Sequence, residues 1–151
     1  MFLPETKEIV VYSRIQAERL NSRQLGREHL FLGLLKLTND PSVEFIKQNV
    51  SGSKLYELER EIDQLIISSY PKPFPKQGSI VLNRDGEKVL KSMKTEMIKT
   101  VKEQVAPMHL LLSLLNPEYF DGENLLIELL KKYGIVYPEL LNAYLKSDKT
   151  I

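Results

Sequence analysis

Residues 27–35 read Arg-Glu-His-Leu-Phe-Leu-Gly-Leu-Leu, and residues 107–115 read Pro-Met-His-Leu-Leu-Leu-Ser-Leu-Leu. The second stretch follows the first by 80 residues without a gap, so that His29 and His109 occupy the same place in each. Both stretches are apolar on almost every side of a helix, which is typical of helices buried at the centre of a domain. A histidine in register among matching leucines indicates an internal duplication.

The segments that precede these two stretches extend the duplication. Ile9 aligns with Val89 and Ala17 with Met97 at the same offset, and the apolar residues recur every three or four positions, as in amphipathic helices. After Leu35 the register slips by a few residues, which fits a loop of different length before the third helix. Helix starts are indicated by N-capping side chains and first-turn prolines at Pro4, Asp40, Ser53, Asn83, Pro107, Asp121 and Pro138.

The chain between the two copies breaks the helical pattern. Residues 70–79 contain three prolines and a glycine, which cannot continue a helix. Within this linker Phe74 is interpreted as a side chain that pins the linker to the core. No stretch of useful length alternates with a period of two, so no β-sheet is predicted. We therefore predict an all-α fold of two tandem four-helix repeats that form a pseudo-twofold eight-helix bundle.

The predicted boundaries are 1–69 for the first repeat, 70–81 for the linker and 82–147 for the second repeat, together one compact domain. The chain has 151 residues with 21 Lys and Arg against 20 Asp and Glu, and this net charge of +1 gives no general attraction to nucleic acid or anionic membrane. Cysteine is absent, which excludes disulfides and thiol chemistry. No apolar run reaches the ~18 residues of a membrane span, and no signal peptide is recognised, so a cytoplasmic location is expected.

The segments Ala17-Glu18-Arg19-Leu20 and 25–35 resemble the N-terminal repeat domain of the Clp/Hsp100 unfoldases of the ClpA, ClpB and ClpC type. In that family a helix with a small-residue face leads into Gly-Thr-Glu-His and a leucine-rich helix, and residues 106–115 resemble a second copy. The resemblance spans about residues 2–146. It implies a domain at the entrance of a hexameric AAA+ unfoldase, where it recruits adaptor proteins and unfolded or marked substrates.

No catalytic constellation accompanies this resemblance. The phosphate-binding pattern G-x-x-x-x-G-K-[ST] is missing, so the chain is expected to be a non-enzymatic interaction domain with no catalytic residues and no cofactor. A free-standing accessory subunit that docks on the Clp protease core, as short Clp-N-like proteins do in plastids, and a piece of a larger Clp ATPase both stay open. A small helical enzyme or ligand carrier is the alternative from another class, but the sequence offers no Ser/His/Asp set for it.

Four residues at the starts of the leucine-rich helices are the candidate binding residues. The resemblance implies that in the ClpC-like branch the threonine and glutamate before the histidine help to bind phosphorylated arginine. Glu28 keeps the acid, Arg27 replaces the threonine, and Pro107 and Met108 replace both in the second copy. With these positions at the domain surface, we expect one polar and one apolar contact zone, and recognition of phosphoarginine stays open.

The two histidines are given a structural interpretation. Two histidines without cysteine and without the H-E-x-x-H spacing are weak support for a metal site, and none is predicted. His29 and His109 are instead expected to bond to the backbone near their helix starts. The acids of the fourth helix are expected to be solvated and not to form a docking patch; they are Glu57, Glu59, Glu61 and Asp63.

Overall fold

The computed structural model describes residues 1–70 and 80–147. Eight α-helices form this part of the chain, which confirms the all-α, eight-helix prediction. They are α1 Pro4–Arg19, α2 Arg27–Leu34, α3 Pro41–Asn49, α4 Ser53–Ser69, α5 Arg84–Lys99, α6 Pro107–Leu115, α7 Leu125–Lys132 and α8 Tyr137–Ser147. Most of the predicted linker, including Phe74, lies outside the described residues, so the boundary between the repeats stays a prediction.

The leucine-rich helices α2 and α6 lie at the centre of the molecule. Every side chain from Glu28 to Leu34 and from Pro107 to Leu115 is buried. α1 packs against α2, α5 packs against α6, and the two central helices contact each other. The duplicated pattern therefore produces two helix pairs that share one core.

The helix bounds explain where the repeat register holds and where it slips. α1 and α5 begin 80 residues apart, at Pro4 and Arg84, whereas α3 and α7 begin 84 residues apart, at Pro41 and Leu125. A 3-10 turn at Pro117–Tyr119 takes up the extra residues. Because of this turn, the prediction that Asp121 caps the seventh helix was wrong. The cap is Asn124, whose Oδ1 accepts a 3.0 Å hydrogen bond from the Ile127 N–H.

The prediction of no β-structure was wrong by two very short strands. Strand β1 (Gln24–Leu25) pairs in parallel with β2 (Val81–Leu82), and Phe2 forms an isolated parallel bridge with Val105. Such short segments cannot show the alternation by which strands are recognised in a sequence. The segment that enters the first helix of each repeat thus pairs with the other repeat, which interlocks the two.

Small residues set the approach of the helices within each pair. In the first repeat the Ser13 hydroxyl donates a 2.6 Å hydrogen bond to the Ile9 carbonyl, and a Cβ on Gly33 would lie 2.3 Å from that hydroxyl oxygen. In the second repeat Ser113, the counterpart of Gly33, donates a 2.8 Å hydrogen bond to the Val89 carbonyl. The serine that satisfies the equivalent carbonyl therefore comes from opposite helices in the two repeats.

The turn after α5 places Val101 outside the core. α5 ends at Lys99, and Val101 adopts a left-handed backbone conformation (φ 56°) with 88% of its surface exposed. Asn21 has the same φ of 56° at the equivalent point after α1. The chain reverses after each of these helices, and the reversal turns the side chain at this position away from the core.

Candidate functional site

His29 and His109 cap the starts of α2 and α6 in the same way. The N-cap residues of α2 and α6 are Gly26 and Ala106, which have no polar side chain to offer. His29 Nδ1 accepts the Gly26 N–H at 3.0 Å, and His109 Nδ1 accepts the Ala106 N–H at 2.9 Å. Burial lowers the pKa of each histidine to about 4, so both are neutral at pH 7. With Nδ1 accepting, the ring proton lies on Nε2.

The far side of each imidazole has a different neighbour. His109 Nε2 lies 3.0 Å from Thr100 Oγ1 and donates to it. The position equivalent to Thr100 in the first repeat is Leu20, and His29 Nε2 has no hydrogen-bond partner among the described residues. There the ring of Tyr70 packs edge-on against His29, with centroids 4.8 Å apart.

A cleft of about 240 Å³ opens beside Tyr70, where α2 begins, α4 ends and α5 begins. We call it the polar cleft. Its lining residues are Gln24, Arg27, Glu28, Leu65, Ser69, Tyr70, Asn83, Asp85, Glu123 and Leu125. It therefore brings together the two candidate residues of the first repeat with two further carboxylates, those of Asp85 and Glu123, that sequence reasoning missed.

Glu28 and Arg27 are more enclosed than the sequence analysis expected. Glu28 is 6% exposed and accepts a 2.5 Å hydrogen bond from the Tyr70 hydroxyl. Burial raises the pKa of Tyr70, and the adjacent Glu28 charge raises it further. Arg27 Nη2 lies 3.4 Å from Asp85 Oδ2, and its guanidinium stacks 4.6 Å from the centre of the Phe120 ring. The expectation of an open polar surface was wrong at Glu28, because Tyr70 covers it, and the cleft is the remaining access.

A second cleft, of about 680 Å³, occupies the corresponding place in the second repeat. We call it the apolar cleft; its lining residues are Met1, Leu3, Val101, Lys102, Glu103, Gln104, Ala106 and Tyr144. Gln104 and Leu3 of this lining are the counterparts of Gln24 and Asn83, which line the polar cleft. Met1 is 70% exposed and Val101 88% exposed, so large apolar side chains face solvent here.

Pro107 and Met108, the candidates of the second repeat, do not line this cleft. Pro107 is buried, and Met108 is 6% exposed and belongs to the hydrophobic core. The expectation that Pro107 and Met108 form the exposed apolar zone was therefore wrong, because the start of α6 is packed into the core. The apolar surface at this end comes from Met1 and Val101, which the sequence analysis did not single out for it.

A buried carboxylate on α5 was also missed. Glu96 is 0% exposed and accepts hydrogen bonds from Tyr137 at 2.7 Å, from Asn116 at 3.1 Å and from Tyr119. Burial by itself would raise the pKa of Glu96, but these donors and the nearby Lys99 ammonium lower it. Its counterpart in the first repeat is the uncharged Gln16. The network fastens α5 to α8 and to the 3-10 turn, and its role is structural.

The described ranges 1–70 and 80–147 contain neither a candidate metal cluster nor a candidate membrane span. No group of three or more His, Asp or Glu side chains there could hold a metal ion. Within the same ranges no helix combines the length and the apolar character needed to cross a membrane.

The sequence of this chain is similar to a known domain family and to a curated protein. The sequence profile of the Clp repeat (R) N-terminal domain matches residues 1–133. A probable ATP-dependent Clp protease ATP-binding subunit from Chlamydia pneumoniae is 26% identical over 149 residues, which is 99% of this chain and 17% of that subunit. The chain thus spans about a sixth of the length of this curated relative.

Solved structures share the fold at lower sequence identity. A chain from structural investigations of a malarial protein secretion system superposes with a TM-score of 0.75 at 21% identity, covering 97% of this chain and 93% of its own. The Hsp104 N-terminal domain of Candida albicans gives 0.69 at 16% identity, with 95% and 88% covered. The N-terminal domain of the ClpD chaperone of Arabidopsis thaliana gives 0.69 at 18% identity, with 98% and 94% covered. The duplicated helices, the paired histidine caps and the profile match agree, and this chain belongs to the Clp repeat N-terminal domain family of the Clp/Hsp100 ATPases.

Proposed function

We propose that this chain is a non-catalytic recruitment domain of a cytoplasmic Clp-type ATP-dependent unfoldase or protease. It holds adaptor proteins or unfolded and marked substrates close to an AAA+ module or a Clp protease core. Membership of the family supports the general role. The observation that carries the specific proposal is the pair of related clefts, one polar and one apolar, at equivalent places in the two repeats.

The polar cleft suits a cationic side chain. Glu28, Asp85 and Glu123 contribute three carboxylates to its lining, against the single guanidinium of Arg27. Arg27 already faces Asp85 and the Phe120 ring, so negative charge is left over for a ligand. A carboxylate holds a guanidinium by charge-assisted hydrogen bonds. A phosphoryl group carries up to two negative charges and is repelled by neighbouring acids. The cleft therefore favours unmodified arginine or lysine over phosphoarginine.

The apolar cleft suits an apolar side chain of an unfolded segment. Met1 and Val101 offer exposed apolar surface, and Leu3 and Tyr144 contribute to its lining. The two charged side chains of the lining, Lys102 and Glu103, are of opposite sign. A single small cleft buries little area, and each binding event is expected to be weak. Weak contacts suit a domain that must release its cargo to a motor.

The experiment is an NMR titration of the whole chain with two synthetic peptides, one carrying a single arginine and one a single leucine in a Gly-Ser background. The arginine peptide should shift backbone amides near Glu28, Asp85 and Glu123, and the leucine peptide those near Val101 and Gln104. A phosphoarginine peptide should bind more weakly than the arginine peptide. Shifts that map outside both clefts, or the same residues for both peptides, would refute the proposal.

A further inference from the structure

The outer face of α4 carries a stripe of residues that neither cleft uses. The helix turns Leu58, Ile62 and Ile66 into the core. On the outer face, side chains spaced by four, four and three positions form a line, which we call the α4 strip: Tyr56, Arg60, Gln64 and Ile67. Tyr56 is 62% exposed and Ile67 52% exposed, at opposite ends of the strip and about 16 Å apart along the helix.

Three of the four acids of α4 are paired within the molecule, and the fourth, Glu57, lines a neighbouring cavity together with Tyr56 and Arg60. Asp63 holds Arg19 of α1 by two hydrogen bonds of 2.8 and 3.0 Å. Glu59 lies 4.0 Å from Lys36, and Glu61 lies 3.2 Å from Lys132. The charges of these three acids are therefore offset by cations from three other parts of the fold.

The strip borders a groove whose charges do not balance. The groove has a volume of about 450 Å³ and is lined by Arg19, Lys36, Tyr56, Glu59, Arg60, Asp63, Gln64 and Ile67. Three cations face two carboxylates in this set. Arg19 and Lys36 are paired with Asp63 and Glu59, whereas Arg60 has no ion pair among the described residues. Its guanidinium lies 5.9 Å from the centre of the Tyr56 ring.

We propose that the α4 strip docks an amphipathic helical segment of a partner protein, which presents a carboxylate to Arg60 and apolar side chains to Tyr56 and Ile67. Arginine and tyrosine are two of the residue types enriched among the energetically dominant positions of protein interfaces. A helix that binds in a groove contacts it through side chains spaced about one helical turn apart. The surplus positive charge of the groove selects an acidic partner over a basic one.

This surface is separate from the two clefts. α4 contributes Leu65 and Ser69 to the polar cleft, on another side of the helix, and contributes nothing to the apolar cleft. The inference goes beyond the proposed function, because it assigns a third surface and the chemistry of its partner. It offers a folded partner, such as an adaptor, a place to bind while both clefts stay open for substrate.

The test uses two helix-forming synthetic peptides of about 15 residues, long enough to be partly helical in water. One presents a Leu-Glu-Leu face and the other a Leu-Lys-Leu face, with the rest of the sequence unchanged. Titrated into the isotopically labelled chain, the acidic peptide should shift amides of residues 53–67 and bind at least about fivefold more tightly than the basic one. Arg60→Glu should reverse this preference, and Tyr56→Ala should weaken binding of the acidic peptide.

Matched controls separate this surface from its neighbours. Arg14→Glu reverses the charge of an exposed arginine on α1 that lines none of these grooves, and it should leave the peptide preference unchanged. Asp85→Asn, in the polar cleft, should leave the shifts of residues 53–67 unchanged. Because the polar cleft itself favours a lysine side chain, the affinities are compared from the shifts of residues 53–67 only, which keeps this test separate from the proposed function. Equal affinity of the two peptides at residues 53–67, or shifts confined to either cleft, would overturn the proposal. A dimer of the chain alone that Tyr56→Ala dissociates would overturn it in favour of a second copy.

Discussion

The Tyr70 hydroxyl donates a hydrogen bond of 2.5 Å to the Glu28 carboxylate, joining the end of α4 to the start of α2 across 42 residues of sequence. The same tyrosine ring covers the capping His29 and forms one wall of the polar cleft. In the second repeat Tyr144 packs edge-on against His109 at 5.7 Å, but the residue in the place of Glu28 is Met108, which is no match as an acceptor. The two repeats share the histidine cap, but only the first has a glutamate at the position that bonds to Tyr70.

Removal of this hydroxyl should destabilise the chain. Tyr70→Phe leaves the buried Glu28 carboxylate without its donor, and an unsatisfied buried group costs about 1–3 kcal/mol in the free energy of unfolding. Urea denaturation followed by circular dichroism measures the loss. The matched control is Tyr56→Phe, at a 62% exposed tyrosine, which should change stability by less than about 0.5 kcal/mol. Equal effects of the two substitutions would contradict the role given to Tyr70.

Gly26 should tolerate no side chain, although its counterpart is an alanine. A Cβ at Gly26 would lie 2.0 Å from Tyr70 Oη and 2.6 Å from Asn83 Nδ2, so Gly26→Ala must displace the tyrosine. We expect a loss of about 1–3 kcal/mol, as for other overpacked sites. The reverse change in the second repeat, Ala106→Gly, removes no such clash and should cost less. Thermal unfolding of both variants measures the two losses. If Gly26→Ala left stability unchanged, the close contact between Gly26 and Tyr70 would be contradicted.

Val101 should be replaceable with a gain in stability. A β-branched residue in the left-handed conformation is strained, whereas asparagine adopts it readily, as Asn21 does at the equivalent position. Val101→Asn should raise the free energy of unfolding by about 1 kcal/mol. Asn21→Val, the exchange in the opposite direction, should lower it by a similar amount. Chemical denaturation of the two variants decides, and a destabilising Val101→Asn would show that the valine makes contacts worth more than its strain.

The capping histidines should make stability fall with acidity. Their pKa is lowered from 6.5 to about 4 by burial, so between these values the unfolded chain binds protons that the folded chain does not. Stability is therefore full above pH 6.5 and is lost as the pH falls toward 4. By pH 5 the loss should be about 1–2 kcal/mol for each histidine.

The control for this pH effect replaces both histidines by glutamine. Glutamine at the third helical position can accept the N-cap N–H in the same way, but it does not titrate. The double variant His29→Gln/His109→Gln should show an almost constant denaturation midpoint from pH 7 to pH 5. A wild-type chain that is equally insensitive over this range would contradict the buried, neutral state of the histidines.

The sequence predicted the fold because the duplication is written in local patterns. Leucines at helical spacing, the capping Asp40 and Asn83, and the aligned histidines each depend only on near neighbours, and the structure retains them. The misses depend on contacts between distant segments. Nothing near Glu28 in sequence reveals that Tyr70 will cover it, and the pairing of Leu25 with Leu82 has no local signature.

The sequence predicted the location of the candidate sites better than it predicted the residues that form them. The sequence placed the candidate residues at the starts of the two leucine-rich helices, and both clefts open beside these helix starts. The side chains that give each cleft its chemistry come from elsewhere: Asp85 and Glu123 at the polar cleft, and Met1 and Val101 at the apolar one. From the sequence alone, Met108→Glu would be an obvious substitution to test binding. In the structure it would bury a charge in the core, so the variant would lose stability and would not test binding.

The central claim, that the two repeats offer different chemistry at equivalent places, is tested most directly by a double dissociation in peptide binding. The wild-type chain, Asp85→Asn/Glu123→Gln and Val101→Asn are each titrated with the arginine peptide and the leucine peptide. Loss of the two acids should weaken only the arginine peptide, and Val101→Asn, which is expected to be a stable variant, should weaken only the leucine peptide. If both variants weaken both peptides alike, or neither weakens either, the claim of two distinct clefts is wrong.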